Sequence, residues 1–306
     1  MEKKIIKIYN LFLRWLIKKF FLIGQRMGIH ITYNHFYEPV PDTRTLPNEL
    51  WVKHTDMVGV RFDKDQQINL LFKFQSMFEK EFEKFPKEQT KIPYQYFVYN
   101  NSFEFVDGEI YYCMIRYFKP RKIIEIGAGY SSYLAAQAIL KNKEEGKECK
   151  LIVVDPYPNE TIKKGFPGLS ELIKLKVEDI NISLFQELKE NDILFIDSSH
   201  ILKINNDVHY LYLEVLPKLN KGVFVHIHDI FLPADYPRKW VLNDYKFWNE
   251  QYLLQAFLTF NNSFEVVFGA SYMHLKHKDI LKKIFSSYKP SCNIGPGSFW
   301  IKRIKR

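Results

Sequence analysis

The chain has 306 residues, 46% of them apolar, enough for one large core or for a domain with an elaborated front end. Its net charge of +9 sits at the ends: residues 1–26 carry +6 and residues 301–306 carry +4, leaving −1 between them, which excludes the continuous basic groove that duplex or RNA binding demands. Three widely spaced cysteines (Cys113, Cys149 and Cys292), with no C-x-x-C pair, exclude a disulfide framework and a cysteine zinc site and suit a reducing cytosol.

The first 30 residues read as a basic amphipathic helix. Lys3, Lys7, Asn10, Arg14 and Lys18 fall on one polar stripe, and most of the remaining positions are apolar, among them Leu11, Phe12, Trp15 and Phe20. Four charges between positions 7 and 19 argue against a membrane span, and the lack of a small-residue cleavage site argues against a signal peptide. Such a helix suits peripheral contact with an anionic membrane, or packing on its own domain or across a homodimer. Residues 31–95 form a lead-in and helical cap: Pro39, Pro41 and Pro47 enforce extended chain, and Leu71, Phe74, Phe78, Phe82 and Phe85 make a helical seam over residues 66–85.

Residues 96–306 form the main body. Ile123 to Ile126 is an apolar, β-branched run that carries Glu125 and ends in the loop Gly127-Ala128-Gly129-Tyr130-Ser131-Ser132, followed by a helix-like stretch to Leu140. A glycine-containing turn at a strand's carboxyl end lets the backbone pass close to a nucleotide-like ligand. Ser132 stands where a dinucleotide fingerprint has its third glycine, and no Gly-Lys-Ser/Thr follows for a P-loop. Further strands are expected at Leu151 to Asp155, Leu172 to Val177, Asp192 to Asp197, Gly222 to Asp229, Phe264 to Gly269 and Ser298 to Arg303. A helix over Asp207 to Leu219 presents Val208, Leu211, Val215 and Leu219 on one face. Strand–helix alternation at this spacing implies a doubly wound, mostly parallel sheet with helices on both faces.

The glycine loop and its preceding acid resemble motif I of the class I S-adenosylmethionine-dependent methyltransferases, and the resemblance runs over roughly residues 100–303. It implies a Rossmann-like seven-stranded sheet with a reversed last strand. It also implies S-adenosylmethionine contacts from Glu125, Gly127, Ala128, Gly129, Tyr130 and Ser131, from Asp155 to the ribose, and from Glu178 and Asp179 near the adenine. Asp197-Ser198-Ser199-His200 replaces the Asn/Asp-Pro-Pro-aromatic motif of nucleic-acid amino-methyltransferases, a second argument against nucleic-acid acceptors.

A hydroxyl acceptor needs a base or a metal to become nucleophilic. Two clusters fit: Asp197 to His200 after the fourth strand, and His226-Ile227-His228-Asp229 at the end of the fifth. Two routes stay open. In one, His200 or His228 is the base, held by Asp197 or Asp229. In the other, Asp197, His228 and Asp229 hold a divalent ion (Mg, Mn or Fe), as in metal-dependent O-methyltransferases of sugars and catechols. The Asp-x-x-His and His-Asp pattern, with Asp207 after it, is similar to the methyltransferase domain family of type 24, whose members are tied to surface-polysaccharide and glycolipid tailoring. The expected activity is therefore O-methylation of a carbohydrate-like or small-molecule acceptor, in the cytoplasm or at the inner face of the membrane. The competing expectations are a degenerate cofactor-binding scaffold of a membrane-associated glycan assembly and an NAD-dependent sugar-modifying enzyme. His226 reads as a core histidine, Asp207 as a helix cap and His209 as solvated.

Overall fold

The computed structural model describes residues 2–305; the side chains of residues 2–8 and 10 lie outside the described ones, and with them Lys3, Lys7 and Asn10 of the expected polar stripe. The chain divides into two compact units, one made of Met1–Leu50 and Arg238–Phe247, the other of Trp51–Pro237 and Trp248–Arg306. The lead-in expected over residues 31–95 is thus shared between them.

The larger unit is organised by a seven-stranded sheet in the order β3-β2-β1-β4-β5-β7-β6. Its strands are β1 (Lys122–Ile126), β2 (Lys150–Val154), β3 (Glu171–Ile173), β4 (Ile193–Ile196), β5 (Phe224–Ile227), β6 (Phe264–Gly269) and β7 (Phe299–Arg303). β1 to β5 pair in parallel, and β7 runs antiparallel to both β5 and β6. This is the Rossmann-like sheet with a reversed last strand. In the central strands, neighbouring side chains point to opposite faces, yet Ile123 and Ile124, and Ile193 to Ile196, are all buried. Helices therefore cover both faces, which is why these strands read as unbroken apolar runs.

Two expected elements change shape. The third strand stops at Ile173, because Lys174, Leu175 and Lys176 are exposed at the end of an edge strand, and Val177–Asp179 is a separate 3-10 turn. The helix expected from Asp207 begins as α-helix at Asp207–Tyr210, widens to π over Leu211–Val215 and tightens to 3-10 over Leu216–Lys218. Pro217 has no N–H to continue an α pattern, so the bonding shifts before it while Val208, Leu211 and Val215 stay buried.

Helix α1 (Glu2–Arg26) belongs to the smaller unit. In the larger unit, α2 (Lys64–Phe82) starts where the Asp63 carboxylate accepts the Gln66 N–H at 2.9 Å. It buries Leu71, Phe74, Phe78 and Phe82, while Phe85 lies past its end with its ring edge-on to Tyr96 and Tyr112. Each buried phenylalanine stabilises the fold by about 1.5–3 kcal/mol. The facing helix α3 (Asp107–Phe118) was not foreseen from the sequence. Every residue from Asp107 to Arg116 is buried, the charged Asp107, Glu109 and Arg116 among them. Arg116 joins α2 to α4 (Tyr130–Glu144) by pairing with Glu81 at 2.8 Å and with Asn142 and Glu145.

In the smaller unit, α1 ends at Arg26 and the chain reverses through Gly28, whose φ of 74° suits a residue without a Cβ. The following irregular segment runs back beside the helix: the Ile29 N–H donates to Gly24 O at 2.9 Å, and the Arg14 guanidinium lies 4.9 Å from the Tyr33 ring centre. Between helix and return segment lies an apolar groove of about 720 Å³, lined by Leu13, Ile17, Phe20 and Ile31. Among the described residues of this unit none is buried, and no helix is long and apolar enough to cross a membrane.

Candidate active site

The carboxyl ends of β1, β2 and β4 open onto a cavity of about 580 Å³ lined by Gly127, Val154, Asp155, Tyr157, Glu178 and Asp197. Gly127 has φ 86°, and a Cβ there would sit 2.0 Å from the carbonyl oxygen of Asp197, so this position excludes any side chain. Gly129 is extended, and a Cβ on it would meet no protein atom within 4 Å. Its glycine is therefore not demanded by backbone strain or by packing.

Glu125 is completely buried and accepts from Ser131 Oγ at 2.6 Å and Ser132 Oγ at 2.8 Å, while its Oε2 has no hydrogen-bond partner. Burial pushes its carboxyl up to about 8, against the pull of the two serine hydroxyls. Asp155 spans the loop: it accepts from Ala128 N at 3.0 Å and from Tyr157 N at 2.6 Å. Tyr130 opens α4 with its ring edge-on to Phe97, 5.1 Å between centres. Glu178 lines the cavity, whereas Asp179 beside it is exposed and does not.

The loop after β4 and the end of β5 bring the acid and imidazole groups together. Asp197, His200 and Asp229 each offer a ligand atom within 4.8 Å of the others. His200 Nε2 lies 3.3 Å from Asp197 Oδ1 and 3.6 Å from Asp229 Oδ2, and its Nδ1 lies 2.9 Å from Oε2 of the fully buried Glu250. His228 Nδ1 lies 3.6 Å from Asp197 and 3.7 Å from Asp229, and its Nε2 is 3.5 Å from Asp107. Both His200 (φ 59°) and Asp229 (φ 55°) hold the left-handed backbone conformation, which costs a non-glycine residue energy and concentrates at functional positions.

The electrostatics follow from this crowding. Burial opposes charge on His200, yet hydrogen bonds to Asp197 and Glu250 raise it to about 10. Burial likewise opposes charge on His228, but Asp229 and Asp197 hold it well above the ordinary value. Asp197 is driven up by burial and, more strongly, down by His228 and His200, so it remains ionised. Burial raises both Asp229 and Glu250.

Residues 124–230 match the family model described as a methyltransferase domain. Over that stretch the chain is similar to methyltransferase domains. An uncharacterized protein of Archaeoglobus fulgidus is 28% identical over 179 residues, 55% of this chain and 78% of that protein. Three solved structures show low overall similarity. The apo form of CmcI-N160 is 15% identical with a TM-score of 0.36, covering 67% of this chain and 73% of that one. The plantazolicin methyltransferase BamL in complex with a triazolic desmethylPZN analog and SAH is 16% identical with a TM-score of 0.39, covering 65% and 84%. The O-methyltransferase from Bacillus cereus in complex with SAH is 12% identical with a TM-score of 0.36, covering 79% and 92%.

Within the larger unit, several residues fall outside the expected roles. The metal set expected from the sequence paired His228 with the two aspartates; here His200 is the ring that joins them within reach of one ion, while Asp107 holds the far nitrogen of His228. Asn206 caps the helix in place of Asp207, and Asp207 instead accepts from Ser199 N at 2.6 Å and Ser199 Oγ at 2.7 Å. His226 is a core histidine bonded to Ser298 at 2.8 Å, and burial holds it well below its ordinary value. His209 is half-buried.

Asp107 and Glu250 were missed. Asp107 opens α3 and accepts from the backbone of Gly297 and Ser298 at 2.9 Å each, which ties the approach to β7 to His228. Glu250 opens α9 (Glu250–Leu258). Neither lies in a recognisable motif; the one available signal is an acid at the head of an apolar helix, which ordinarily marks only a helix start.

Proposed function

We propose that this protein is an S-adenosylmethionine-dependent methyltransferase that transfers a methyl group to an oxygen of a carbohydrate-like or small-molecule acceptor. One observation carries the reading: Asp197 both lines the cavity beside Gly127 and Asp155 and faces His200 and His228. Cofactor cavity and proton-handling groups thus share one rim, as an in-line transfer requires. Bound S-adenosylmethionine supplies a methyl group on a positively charged sulfur, and the protein's own groups supply the rest. The Glu125 Oε2 behind the loop is a buried polar atom without a hydrogen-bond partner, Gly127 gives a bare backbone for close approach, and the Asp155 carboxylate fits the ribose edge of a nucleoside.

For the acceptor hydroxyl, Asp197, His200, His228 and Asp229 are the groups that orient it and receive its proton. Each ring has carboxylates at both nitrogens, an arrangement that holds it as a donor and works against simple imidazole base catalysis. A divalent ion held by Asp197, His200 and Asp229 would displace the proton on His200 Nε2 and, when bound, lower the acceptor's pKa. The nitrogen donor suits Mn²⁺ or Fe²⁺ better than Mg²⁺. The aromatic rings of Tyr236, Trp248 and Tyr252 neighbour one another after β5; Trp248 lies 4.3 Å from His200, a surface on which a sugar ring could stack.

The smaller unit supports peripheral contact with an anionic membrane at the cytoplasmic face. Leu11, Phe12, Trp15, Leu22 and Ile23 are exposed and interleaved with Arg14, Lys18, Lys19 and Arg26. The test of the enzymatic reading is transfer from methyl-labelled S-adenosylmethionine to a panel of glycan and small hydroxylated acceptors, with the product bond identified by mass spectrometry and NMR. Calorimetry with S-adenosylhomocysteine accompanies it. No binding of that nucleoside, or a methyl group found on nitrogen or carbon, would overturn the proposal.

A further inference from the structure

We infer that Glu250 is a positioning residue that fixes the His200 ring as the nitrogen donor of a divalent-cation centre with Asp197 and Asp229. The inference rests on the methyltransferase reading for the purpose of the site, but on geometry alone for its construction. An ionised carboxylate only accepts hydrogen bonds, so the 2.9 Å contact between Glu250 Oε2 and His200 Nδ1 places a proton on Nδ1. In the neutral ring, the lone pair is then on Nε2, the atom that faces Asp197 Oδ1 at 3.3 Å and Asp229 Oδ2 at 3.6 Å. With no ion bound, Nε2 also carries a proton, shared with those two aspartates; a divalent cation would take that proton's place and release it on binding. A carboxylate behind a ligating imidazole is the arrangement that sets ring orientation and strengthens the donor.

The backbone shows the same construction. His200 O accepts the N–H groups of both Asn249 and Glu250, at 3.1 and 3.2 Å, and Asn249 Oδ1 accepts from Leu202 N at 2.6 Å. The first turn of α9 therefore clasps the loop through its main chain while Glu250 reaches the ring. His200 sits at φ 59°, and the Trp248 ring centre lies 4.3 Å from that of the imidazole. Glu250 has no surface exposure, so its carboxylate is not a solvent-facing charge that happens to lie nearby. Burying an acid with one oxygen on His200 and the other without a hydrogen-bond partner is costly, and orienting that ring is the use the structure offers for it.

The experiment is titration of the full chain with Mn²⁺ alone, followed by electron paramagnetic resonance, for the wild type, Glu250→Gln and His200→Ala. The expected result is one Mn²⁺ per chain, about 10–100-fold weaker binding in Glu250→Gln, and a spin-echo modulation from imidazole nitrogen that vanishes in His200→Ala. Unchanged affinity in Glu250→Gln, no Mn²⁺ binding by the wild type, or no nitrogen modulation from His200 would each overturn the inference. Should Glu250→Gln fail to fold, Glu250→Asp, which keeps the charge but draws it back from His200 Nδ1, takes its place, and unchanged Mn²⁺ affinity there overturns the inference. Calorimetry with S-adenosylhomocysteine on the same samples separates the two readings: loss of nucleoside binding by the wild type sinks the methyltransferase proposal, while the Mn²⁺ data judge Glu250 independently.

Discussion

On α2, Leu71, Phe74 and Phe78 are sealed within the larger unit, whereas on α1 Leu11, Phe12, Trp15 and Leu22 keep 61, 58, 54 and 65% of their surface exposed. Both segments are rich in large apolar residues and both are helical. What separates them is the company each keeps: α2 packs against the buried helix α3, while on α1 the described apolar side chains stay largely exposed beside a short return segment. An apolar stripe thus marks a surface that needs covering without saying what covers it. In one unit the chain supplies the cover itself; in the other we propose a negatively charged lipid surface, to which the interspersed lysines and arginines would be drawn.

The sharpest break in this comparison comes at the rim of the larger unit. Replacing Asp229 or Asp197 by alanine is expected to lower turnover by about 10²–10⁴-fold while leaving vesicle binding by the intact chain unchanged; near-normal turnover would remove these residues from the chemistry. Packing gives the next effect. Phe74→Ala is expected to cost about 3–5 kcal/mol in urea unfolding, and Phe12→Ala no more than about 0.5 kcal/mol, because the second ring loses little buried contact. Equal losses would mean that α1 is covered by protein in solution. Third, the pair Trp15→Ser and Leu22→Ser is expected to weaken sedimentation with anionic vesicles by about tenfold, with methyl transfer to a soluble acceptor unaffected.

The smallest effect is on pH. Burial raises Glu125 to about 8 and Glu109 to about 7, so the folded chain retains protons that the unfolded chain releases near the ordinary value of 4.5. Their stabilising contribution is complete below that value and is lost as pH rises through the folded values. The melting temperature should decline by a few degrees from about pH 5 to 8, and less steeply in Glu125→Gln. A slope identical in the two proteins would show that Glu125 keeps its proton no more tightly than an ordinary carboxyl.

Much of the architecture could be read before any coordinates, because a sheet covered on both faces writes itself as apolar runs ending in acids and glycines. Ile123 to Gly129 shows this, as do Asp197 and Asp229 at the ends of neighbouring strands. The rest was set by tertiary contacts. α3 is short and buries even its charged Asp107, Glu109 and Arg116, and the third strand is cut short by exposed lysines at the sheet edge. Asp107 and Glu250 are single acids brought to the rim by tertiary folding from 90 positions before and 53 positions after Asp197. Which of two nearby histidines joins the aspartates depends on partners at their far nitrogens, and those partners are the very residues that sequence spacing does not reveal.

The clasp between α9 and the β4 loop has a mechanical consequence. Because His200 O takes two amide protons from the head of that helix and Asn249 returns a bond to Leu202, the loop cannot swing outward unless the helix unravels its first turn. Opening and fraying become one event. The amides of Leu202, Asn249 and Glu250 would then exchange with deuterated solvent at a common rate, and anything that lengthens or steadies that helix would slow traffic into the reaction chamber.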